Sequence, residues 1–508
     1  MLALSPLSLQ HQEVQKPYIL AIDAGTTGVT TLLFDSDLRE VRRITAEFPQ
    51  HFPRPGEVEH HASEILDAVD STVAQVLDSY SGPIAALGLT NQRETVFALR
   101  RSSGEALVPG IVWQDRRTSG RCQELREQNF GPRVHKKTGL VLDPYFSATK
   151  AEWMLKHQPQ VAQARADGDL LFATVDTLIA LHLIGPEGAL TDPTNASRTM
   201  LMSIEEGGWC PEMGELFGVA PEELAEIRPS AGDFGLARLP GGREVPLTGI
   251  AGDQQAALFG QGCFDEGSLK NTYGTGCFLL LNTGARRVDS THGLLTTLAA
   301  DRKGGTCFAL EGSVFMGGAT IQWLRDELGI LKDAAESETL AASVGDTGGV
   351  FLVPAFAGLG APHWDPEARG ALLGLTRGTG RGHIARAALE GIAFQCTELV
   401  EALRRDTGLP VDELLVDGGA AANDLLMQLQ ADLAGVRVRR PQDLESTARG
   451  AAALAAVGAG LLDDPSKAAG MGSGADEFLP SIDRAARGRR LQEWTTAVDR
   501  VRGAGPRN

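Results

Sequence analysis

An α/β chain built as two similar domains with a cleft between them is predicted by three observations. A near-continuous apolar run, Tyr18-Ile19-Leu20-Ala21-Ile22-Asp23, breaks at the turn Ala24-Gly25-Thr26-Thr27-Gly28 and resumes over residues 29–35. This reads as a hairpin with a wide polar turn. The same device recurs at Leu269–Tyr273, Gly274-Thr275-Gly276 and residues 277–282. Further along, Leu414-Leu415-Val416 runs into Asp417-Gly418-Gly419 and then a helical pattern over 423–433, the strand, glycine turn and helix of an α/β layer. At 508 residues the chain exceeds one core and is expected to hold roughly two to four domains.

Each element follows in turn. Leu87-Gly88-Leu89-Thr90-Asn91-Gln92 reads as a strand that ends in a polar cluster, Arg93-Glu94. Val245, Leu247 and Ile250 mark a short buried strand, Gly252-Asp253 ends it, and Gln255-Ala256-Ala257 begins a helix of small residues. Over residues 384–404, Ile384, Ala388, Leu389, Ile392, Cys396, Leu399, Val400 and Leu403 share one helical face. Gly391 within it costs about 1 kcal/mol relative to Ala, which implies close packing at that point. The domain boundary falls near residues 260–267, giving a disordered leader at 1–17, an N-terminal domain at 18–262 and a C-terminal domain at 263–508. The run 470–474 is a glycine-rich loop, and Leu491-Gln492-Glu493-Trp494 marks a closing helix.

Composition narrows the function. The chain is 43% hydrophobic, as expected of a soluble globular protein. Its net charge of −18 argues against a nucleic-acid partner, where clustered basic residues supply affinity. It does not argue against a nucleotide, which needs only local donors. Six cysteines are scattered with no CxxC pair and no histidine at zinc-ligand spacing, the pattern of reduced, buried thiols. No stretch approaches the roughly 20 apolar residues of a spanning helix. A cytoplasmic enzyme without an integral membrane segment is expected.

The two Gly/Thr turns carry the chemistry. Backbone N–H groups in such turns converge on phosphate oxygens, and threonine hydroxyls add donors. Gly25, Gly274 and Gly276 permit a backbone approach that a Cβ would block. Neither turn is a P-loop, since GxxxxGK[ST] is absent; taken singly, each is also compatible with an ordinary hairpin. Asp23, at a strand end facing the same phosphates, suits Mg²⁺, which takes few protein ligands; a turn-capping role is the alternative. Asp253, between the turns, is the candidate general base and a second metal-side carboxylate. In-line phosphoryl transfer asks mainly for positioning and charge neutralisation. The competing reading of Asp253 is a helix N-cap. Arg93 and Glu94 could grip two hydroxyls, one donating and one accepting, or form a solvated surface pair. Trp113 and Tyr145 offer an apolar wall. The small-residue turn Gly418-Gly419-Ala420-Ala421-Ala422-Asn423 offers a flat seat for adenine or ribose, or simply tight packing. His60-His61, beside Glu57 and Glu59, matches no common zinc spacing and reads as a solvated loop.

These residues resemble the FGGY carbohydrate kinases, and within that family its glycerol-phosphorylating members. The resemblance spans about residues 18–460. It is carried by Thr90-Asn91-Gln92-Arg93-Glu94-Thr95, by Gly139-Leu140-Val141-Leu142-Asp143-Pro144-Tyr145-Phe146-Ser147 and by Thr194-Asn195-Ala196-Ser197-Arg198-Thr199-Met200. The run 249–276 and Gly358-Leu359-Gly360-Ala361-Pro362-His363-Trp364-Asp365-Pro366, with Ala368-Arg369-Gly370, complete it. The resemblance implies two actin-like, ribonuclease-H-like ATPase domains closing over ATP-Mg²⁺ and glycerol, with sn-glycerol 3-phosphate as product. Glycerol and phosphate are then expected on the N-terminal domain and the nucleotide on the C-terminal one. It implies that Arg93, Glu94, Tyr145, Asp253 and Gln254 bind glycerol hydroxyls, with Trp113 and Phe278 along its carbon side. Thr26, Thr27, Gly28 and Thr275 would hold phosphates. Gly318, Gln322, Gly419, Ala420 and Asn423 would seat the nucleoside. Asp253 would be the base and Asp23 a metal-side carboxylate. Relatives suggest a homo-oligomer, a dimer or a tetramer.

The chain departs from the family pattern at the first turn. Ala24 stands where Gln is usual, and Gly28-Val29-Thr30 replaces Ser-Ser-Arg, removing a guanidinium from the nucleotide phosphates. Lowered turnover or ATP affinity is the expected consequence. His363 stands where Tyr is common. Glu244, in Gly242-Arg243-Glu244, occupies the place of an arginine through which fructose 1,6-bisphosphate inhibits some bacterial relatives, so that control is not expected. Two other readings remain at this level: a kinase for another short polyol or ketose, such as erythritol or dihydroxyacetone, and a glycerol-binding sensor with weakened catalysis.

Overall fold

The computed structural model describes residues 17–502 apart from 79, 81, 302–304, 443 and 468–474. Nearly all of the leader at 1–17, and the glycine-rich loop at 470–474, lie outside the described residues.

Two sheets form the frame. The first has six strands in the order Ala231–Leu239, Arg243–Gly252, Ile84–Asn91, Tyr18–Ala24, Gly28–Phe34, Glu40–Glu47. The second has seven, in the order Leu295–Ala299, Cys307–Val314, Cys277–Gly284, Leu269–Tyr273, Glu413–Asp417, Arg437–Arg440, Asp476–Phe478. Their directions repeat. In the first sheet, Glu40–Glu47, Gly28–Phe34 and Tyr18–Ala24 run antiparallel, Ile84–Asn91 and Arg243–Gly252 join in parallel, and Ala231–Leu239 closes antiparallel. In the second, Cys307–Val314, Cys277–Gly284 and Leu269–Tyr273 are antiparallel, Glu413–Asp417 and Arg437–Arg440 parallel, and Asp476–Phe478 antiparallel again. This is the ribonuclease-H-like arrangement twice over. The two predicted hairpins are the matching central pairs of the two sheets.

The local sequences explain the placement. Tyr18–Ala24 is central, and its apolar run is buried along nearly its whole length, as a strand covered on both faces must be. Glu40–Glu47 sits at the edge and alternates exposed with half-buried positions. The helix read over 384–404 extends over Arg381–Thr407 and ends at Gly408, whose φ of 68° suits a left-handed C-cap. A Cβ at Gly391 would lie 2.4 Å from the Leu352 carbonyl oxygen, so the close packing predicted there is present. The closing helix spans Arg484–Val501 and stacks Trp494 on Phe394, with ring centroids 4.9 Å apart.

One element crosses between the halves. The alanine-rich helix Ser446–Gly458, late in the chain, packs on the first sheet. Its backbone comes so near that a Cβ at Gly88 would lie 2.3 Å from the Ala451 carbonyl oxygen, and one at Gly249 2.4 Å from the Ala455 nitrogen. It also crosses the helix Asp253–Gly260 at a glycine-to-glycine contact, where Gly260 and Gly450 meet. Among the described residues no helix is long and apolar enough to cross a membrane. All six cysteines are free and buried.

At Gly450 an added Cβ would stand 1.8 Å from the Ala256 carbonyl oxygen. Gly450→Ala is therefore expected to cost on the order of 1–3 kcal/mol through overpacking. A lowered thermal unfolding midpoint checks it; an unchanged midpoint would show that the two helices can separate freely.

Candidate functional site

The parallel strands of the first sheet deliver the site. Asp23 pairs in register with Thr90, Asn91 with Gly252, and Thr90 with Ala251. The carboxyl ends of three adjacent strands therefore present Asp23, the run Gln92-Arg93-Glu94 and Asp253 side by side. This is where open α/β sheets collect ligands. Asp253 begins the helix Asp253–Gly260, with Gly252 rather than Asp253 as its N-cap. Its side chain is 27% exposed, whereas those of Arg93 and Glu94 are 1% and 2% exposed. Its Oδ1 accepts from the Gln254 backbone N–H at 2.7 Å and lies 3.2 Å from Arg93 Nε. Oδ2 is left for another proton donor.

Arg93 and Glu94 form part of a buried charge cluster, which rules out the solvated-pair reading. Arg93 Nη1 and Nη2 donate to the two carboxylate oxygens of Glu311 at 2.6 and 2.9 Å. Arg198 donates from Nε to Glu94 at 2.6 Å and from Nη2 to Glu311 at 3.0 Å. Burial alone would raise the Glu311 carboxyl, but Arg198 and Arg93 outweigh it and hold it down at about 2. Glu94 is pushed up by burial against the pull of Arg93 and Arg198. Glu94 also adopts a φ of +64°, a strained backbone for a side-chain-bearing residue, of the kind found at functional sites. With both Nη groups engaged, Arg93 offers the site mainly its Nε edge, a narrower grip than its sequence position suggests.

Above this floor stand the predicted aromatic residues. Trp113 meets Tyr145 edge-on at 5.6 Å between centroids and Phe278 at 6.1 Å. Arg93 lies 5.9 Å from the centre of the Phe278 ring. Gln254 is buried, and its Oε1 accepts from Lys270 Nζ at 2.6 Å. Lys270 also donates to Thr272 Oγ1 at 2.8 Å, so a chain of contacts runs from the residue after Asp253 to the foot of the second Gly/Thr turn. Burial lowers the Lys270 ammonium to about 8 despite the charges of Asp417 and Asp253.

The second turn borders a cavity of about 560 Å³. Six residues predicted for the nucleotide, Thr275, Gly318, Gln322, Gly419, Ala420 and Asn423, line it together. The helix Gly318–Asp326 starts against the turn, with Gly318 N donating to the Gly274 carbonyl at 2.8 Å. Asn423 caps the helix Asp424–Ala434 by accepting from Leu426 N at 2.9 Å. In the first turn Thr26 accepts from Trp113 Nε1 at 2.9 Å, Thr27 is exposed, and a Cβ at Gly28 would lie 2.7 Å from the Ala46 carbonyl oxygen. At Gly25 and Gly274 a Cβ would meet protein no closer than 3.5 and 3.7 Å. Those two glycines therefore answer to something other than protein packing.

Asp23 is raised to about 8, by burial first and then by the negative charges of Asp253 and Glu445. A divalent cation would relieve that repulsion. Among the described residues no three His, Cys, Asp or Glu side chains cluster as a metal cage.

One expectation is corrected. His60 is not in a solvated loop: it belongs to the strand Glu59–His60, is fully buried and hydrogen-bonds to Gln50. Sequence reading also missed Glu311 and Lys270 and assigned Arg198 no role. The signal was a lone charge inside an otherwise uncharged strand, Glu311 in Cys307–Val314 and Lys270 in Leu269–Tyr273, since a buried charge demands a partner.

Comparison with known proteins places the chain in a family. Its residues 18–260 match the N-terminal domain of the FGGY family of carbohydrate kinases, and residues 269–459 match the C-terminal domain. The chain belongs to the FGGY carbohydrate kinases, an actin-like ATPase fold. It is similar to glycerol kinase of Shewanella baltica (strain OS223), 48% identical over 96% of this chain and all of that protein. It is equally similar to glycerol kinase of Aeromonas hydrophila subsp. hydrophila, 48% identical over 96% of this chain and 98% of that one. Among solved structures it resembles Plasmodium falciparum glycerol kinase with ADP, at a TM-score of 0.85 and 34% identity, covering 96% of this chain and 98% of that one. Gluconate kinase from Lactobacillus acidophilus shares the fold at 22% identity and a TM-score of 0.83.

Removing one partner from a buried ion cluster costs about 3–5 kcal/mol. Glu311→Gln is expected to destabilise the protein to that extent at neutral pH. Because the folded-state carboxyl sits below its ordinary 4.5, its contribution is complete above about pH 4.5 and is lost as pH falls toward 2. Denaturant unfolding of wild type and variant across that window should show the gap closing; a pH-independent gap would place the stabilisation elsewhere.

Proposed function

We propose that this chain is a glycerol kinase, transferring the γ-phosphoryl group of ATP to a primary hydroxyl of glycerol to give sn-glycerol 3-phosphate. One observation carries the reading. Asp253 pairs with Arg93, which lies against Phe278 of the Trp113, Tyr145 and Phe278 cluster; its charge acts on Asp23, and its neighbour Gln254 connects through Lys270 to Thr272 at the foot of the second Gly/Thr turn. Similarity to glycerol kinases, at 48% identity over 96% of the chain, supports the choice of substrate.

The chemistry follows from the donors. Glycerol lies with its carbons along Trp113 and Phe278 and its hydroxyls toward Arg93 Nε, Glu94, Tyr145 and Gln254. Asp253 Oδ2 accepts the hydroxyl proton as the O–P bond forms and the bond from the γ-phosphorus to the bridging oxygen breaks, and ADP departs. The Gln254 N–H donates to Oδ1, which leaves Oδ2 to the substrate hydroxyl. The threonine hydroxyls and backbone N–H groups of Thr26, Thr27, Gly28 and Thr275 receive the phosphates. Gly318, Gln322, Gly419, Ala420 and Asn423 seat the nucleoside. Asp23, with Asp253, would hold Mg²⁺, which supplies charge neutralisation at the phosphates. Such a division gives residues 18–262 the polyol and residues 263–508 the nucleotide. We read the enzyme as cytoplasmic and homo-oligomeric, in line with its free thiols and its relatives. Control by fructose 1,6-bisphosphate is not expected, since Glu244 faces Arg238 at 3.6 Å where the inhibitor-binding relatives have an arginine.

Asp253→Asn is expected to lower kcat by roughly 10²- to 10⁴-fold, the range of a general base, with the fold and glycerol binding retained. A coupled ADP-release assay beside calorimetry measures both. Full activity in that variant would remove Asp253 from its role, and a substrate panel led by a longer polyol would replace glycerol.

Thr30 spends its hydroxyl on Thr45, at 3.0 Å, and brings no charge to the first turn. Thr30→Arg is expected to lower KM for ATP roughly 2- to 5-fold, the effect of one half-exposed charge pair. An unchanged KM would show that the turn is compensated elsewhere.

A further inference from the structure

Five residues beneath the first Gly/Thr turn close a ring of hydrogen bonds with its Thr26. Trp113 Nε1 donates to Thr26 Oγ1 at 2.9 Å, and the Trp113 backbone N–H donates to Thr95 Oγ1 at 3.2 Å. Thr95 Oγ1 donates to Gln92 Oε1 at 2.8 Å. Gln92 Nε2 reaches the Gly25 carbonyl at 3.1 Å and His60 Nδ1 at 3.3 Å. His60 Nε2 meets Gln50 Oε1 at 2.8 Å, and Gln50 Nε2 donates to the Thr26 carbonyl at 2.7 Å. The ring thus begins and ends on Thr26.

We propose that His60 is a positioning residue for phosphoryl transfer, the link through which this ring couples the polyol-facing Trp113 to the phosphate-facing turn at Gly25 and Thr26. The inference rests on the kinase reading above.

Donor and acceptor directions are what select histidine. Gln92 must keep its amide oxygen toward the Thr95 hydroxyl and its NH₂ toward Gly25, so it offers His60 a donor. His60 Nδ1 must then accept. Gln50 must turn its NH₂ toward the Thr26 carbonyl, which leaves its oxygen facing His60, so His60 Nε2 must donate. Only a neutral imidazole carrying its proton on Nε2 satisfies both neighbours. The surroundings favour that state: burial first, then the nearby His51 and His61, lower His60 to about 4. The Phe48 ring meets its face edge-on at 5.1 Å. An imidazolium would set two donors against each other at Nδ1.

The consequence reaches the ligands. Thr26 Oγ1 accepts from the indole, so its own proton is free to point away from protein and toward a phosphate oxygen. The Gly25 and Thr26 carbonyls are both tied back, which turns the N–H groups that follow them outward. A small displacement of Trp113 by the polyol is transmitted to Thr26 directly and around the ring. Misplacements of about 1 Å are enough to cost 10²-fold in transfer rate.

Two variants and one spectrum test this. His60→Phe keeps the ring contact with Phe48 and removes both nitrogens. Gln50→Met cuts the same link from the half-buried side, where folding is less exposed to the change. Both should lower kcat/KM for ATP roughly 10- to 100-fold, with glycerol affinity without nucleotide, read by calorimetry, held within about 2-fold. The double variant should be no worse than the weaker single, as expected for members of one unit. In ¹⁵N-histidine spectra the signals lost in His60→Phe, or shifted in Gln50→Met, should show an unprotonated Nδ1 and a protonated Nε2 from pH 5 to 8. A folded variant with kcat/KM for ATP within about 2-fold of wild type, additive losses, or the opposite tautomer would overturn the proposal. A wild-type chain that turns over no glycerol would undo the functional assignment instead, and the spectrum would still decide the ring.

Discussion

The site depends on a carboxylate that belongs to the opposite lobe. Glu311, on the strand next to one edge of the second sheet, grips Arg93 with both oxygens and Arg198 with one. Two arginines and two glutamates are thereby buried as a neutral group. Such a group gains little over a well-packed apolar core, because desolvation offsets attraction. What it provides is direction. Arg93 has no freedom to turn, so its Nε edge is kept facing Asp253, 3.2 Å from Oδ1. The strained backbone of Glu94 persists because Arg198 and Arg93 hold it from two sides. The orientation of Arg93 in the first lobe is in this way set partly by the second.

The two lobes use one device for unequal purposes. Both sheets place a Gly/Thr turn at the tip of their central hairpin. The second turn leans on the start of Gly318–Asp326 and borders the roomy cavity that suits a nucleoside. The first is braced from below by side chains, Gln50, Gln92 and Trp113, and borders the aromatic box. Duplication supplied the geometry, and the supporting residues divided the work.

Much of this was legible in the chain. Apolar runs ending in glycine turns located both hairpins, and the glycine–aspartate step before small residues located Asp253, because these are local rules of strand ends and helix starts. The small-residue turn at 418–423 was legible as a nucleoside seat or as tight packing, and the structure sets it along the wall of a cavity. What escaped reading was long-range. Glu311 lies 218 positions from Arg93, and nothing near it in sequence announces the partner. His60 looked solvated because it sits among charges; only the fold reveals that its neighbours in space are two glutamines. Buried polar groups are recognisable as anomalies in a strand, but their partners are decided by the packing of distant segments.

The helix Ser446–Gly458 carries a consequence for biogenesis. It completes the hydrophobic layer over the first sheet, yet it is synthesised roughly 200 residues after that sheet's last strand. Chains usually acquire structure domain by domain as they leave the ribosome. Here the early half must wait with an uncovered apolar face until nearly the entire polypeptide has emerged. The nascent protein is thus most dependent on chaperones late in translation, and truncation anywhere before residue 458 leaves both halves unfinished.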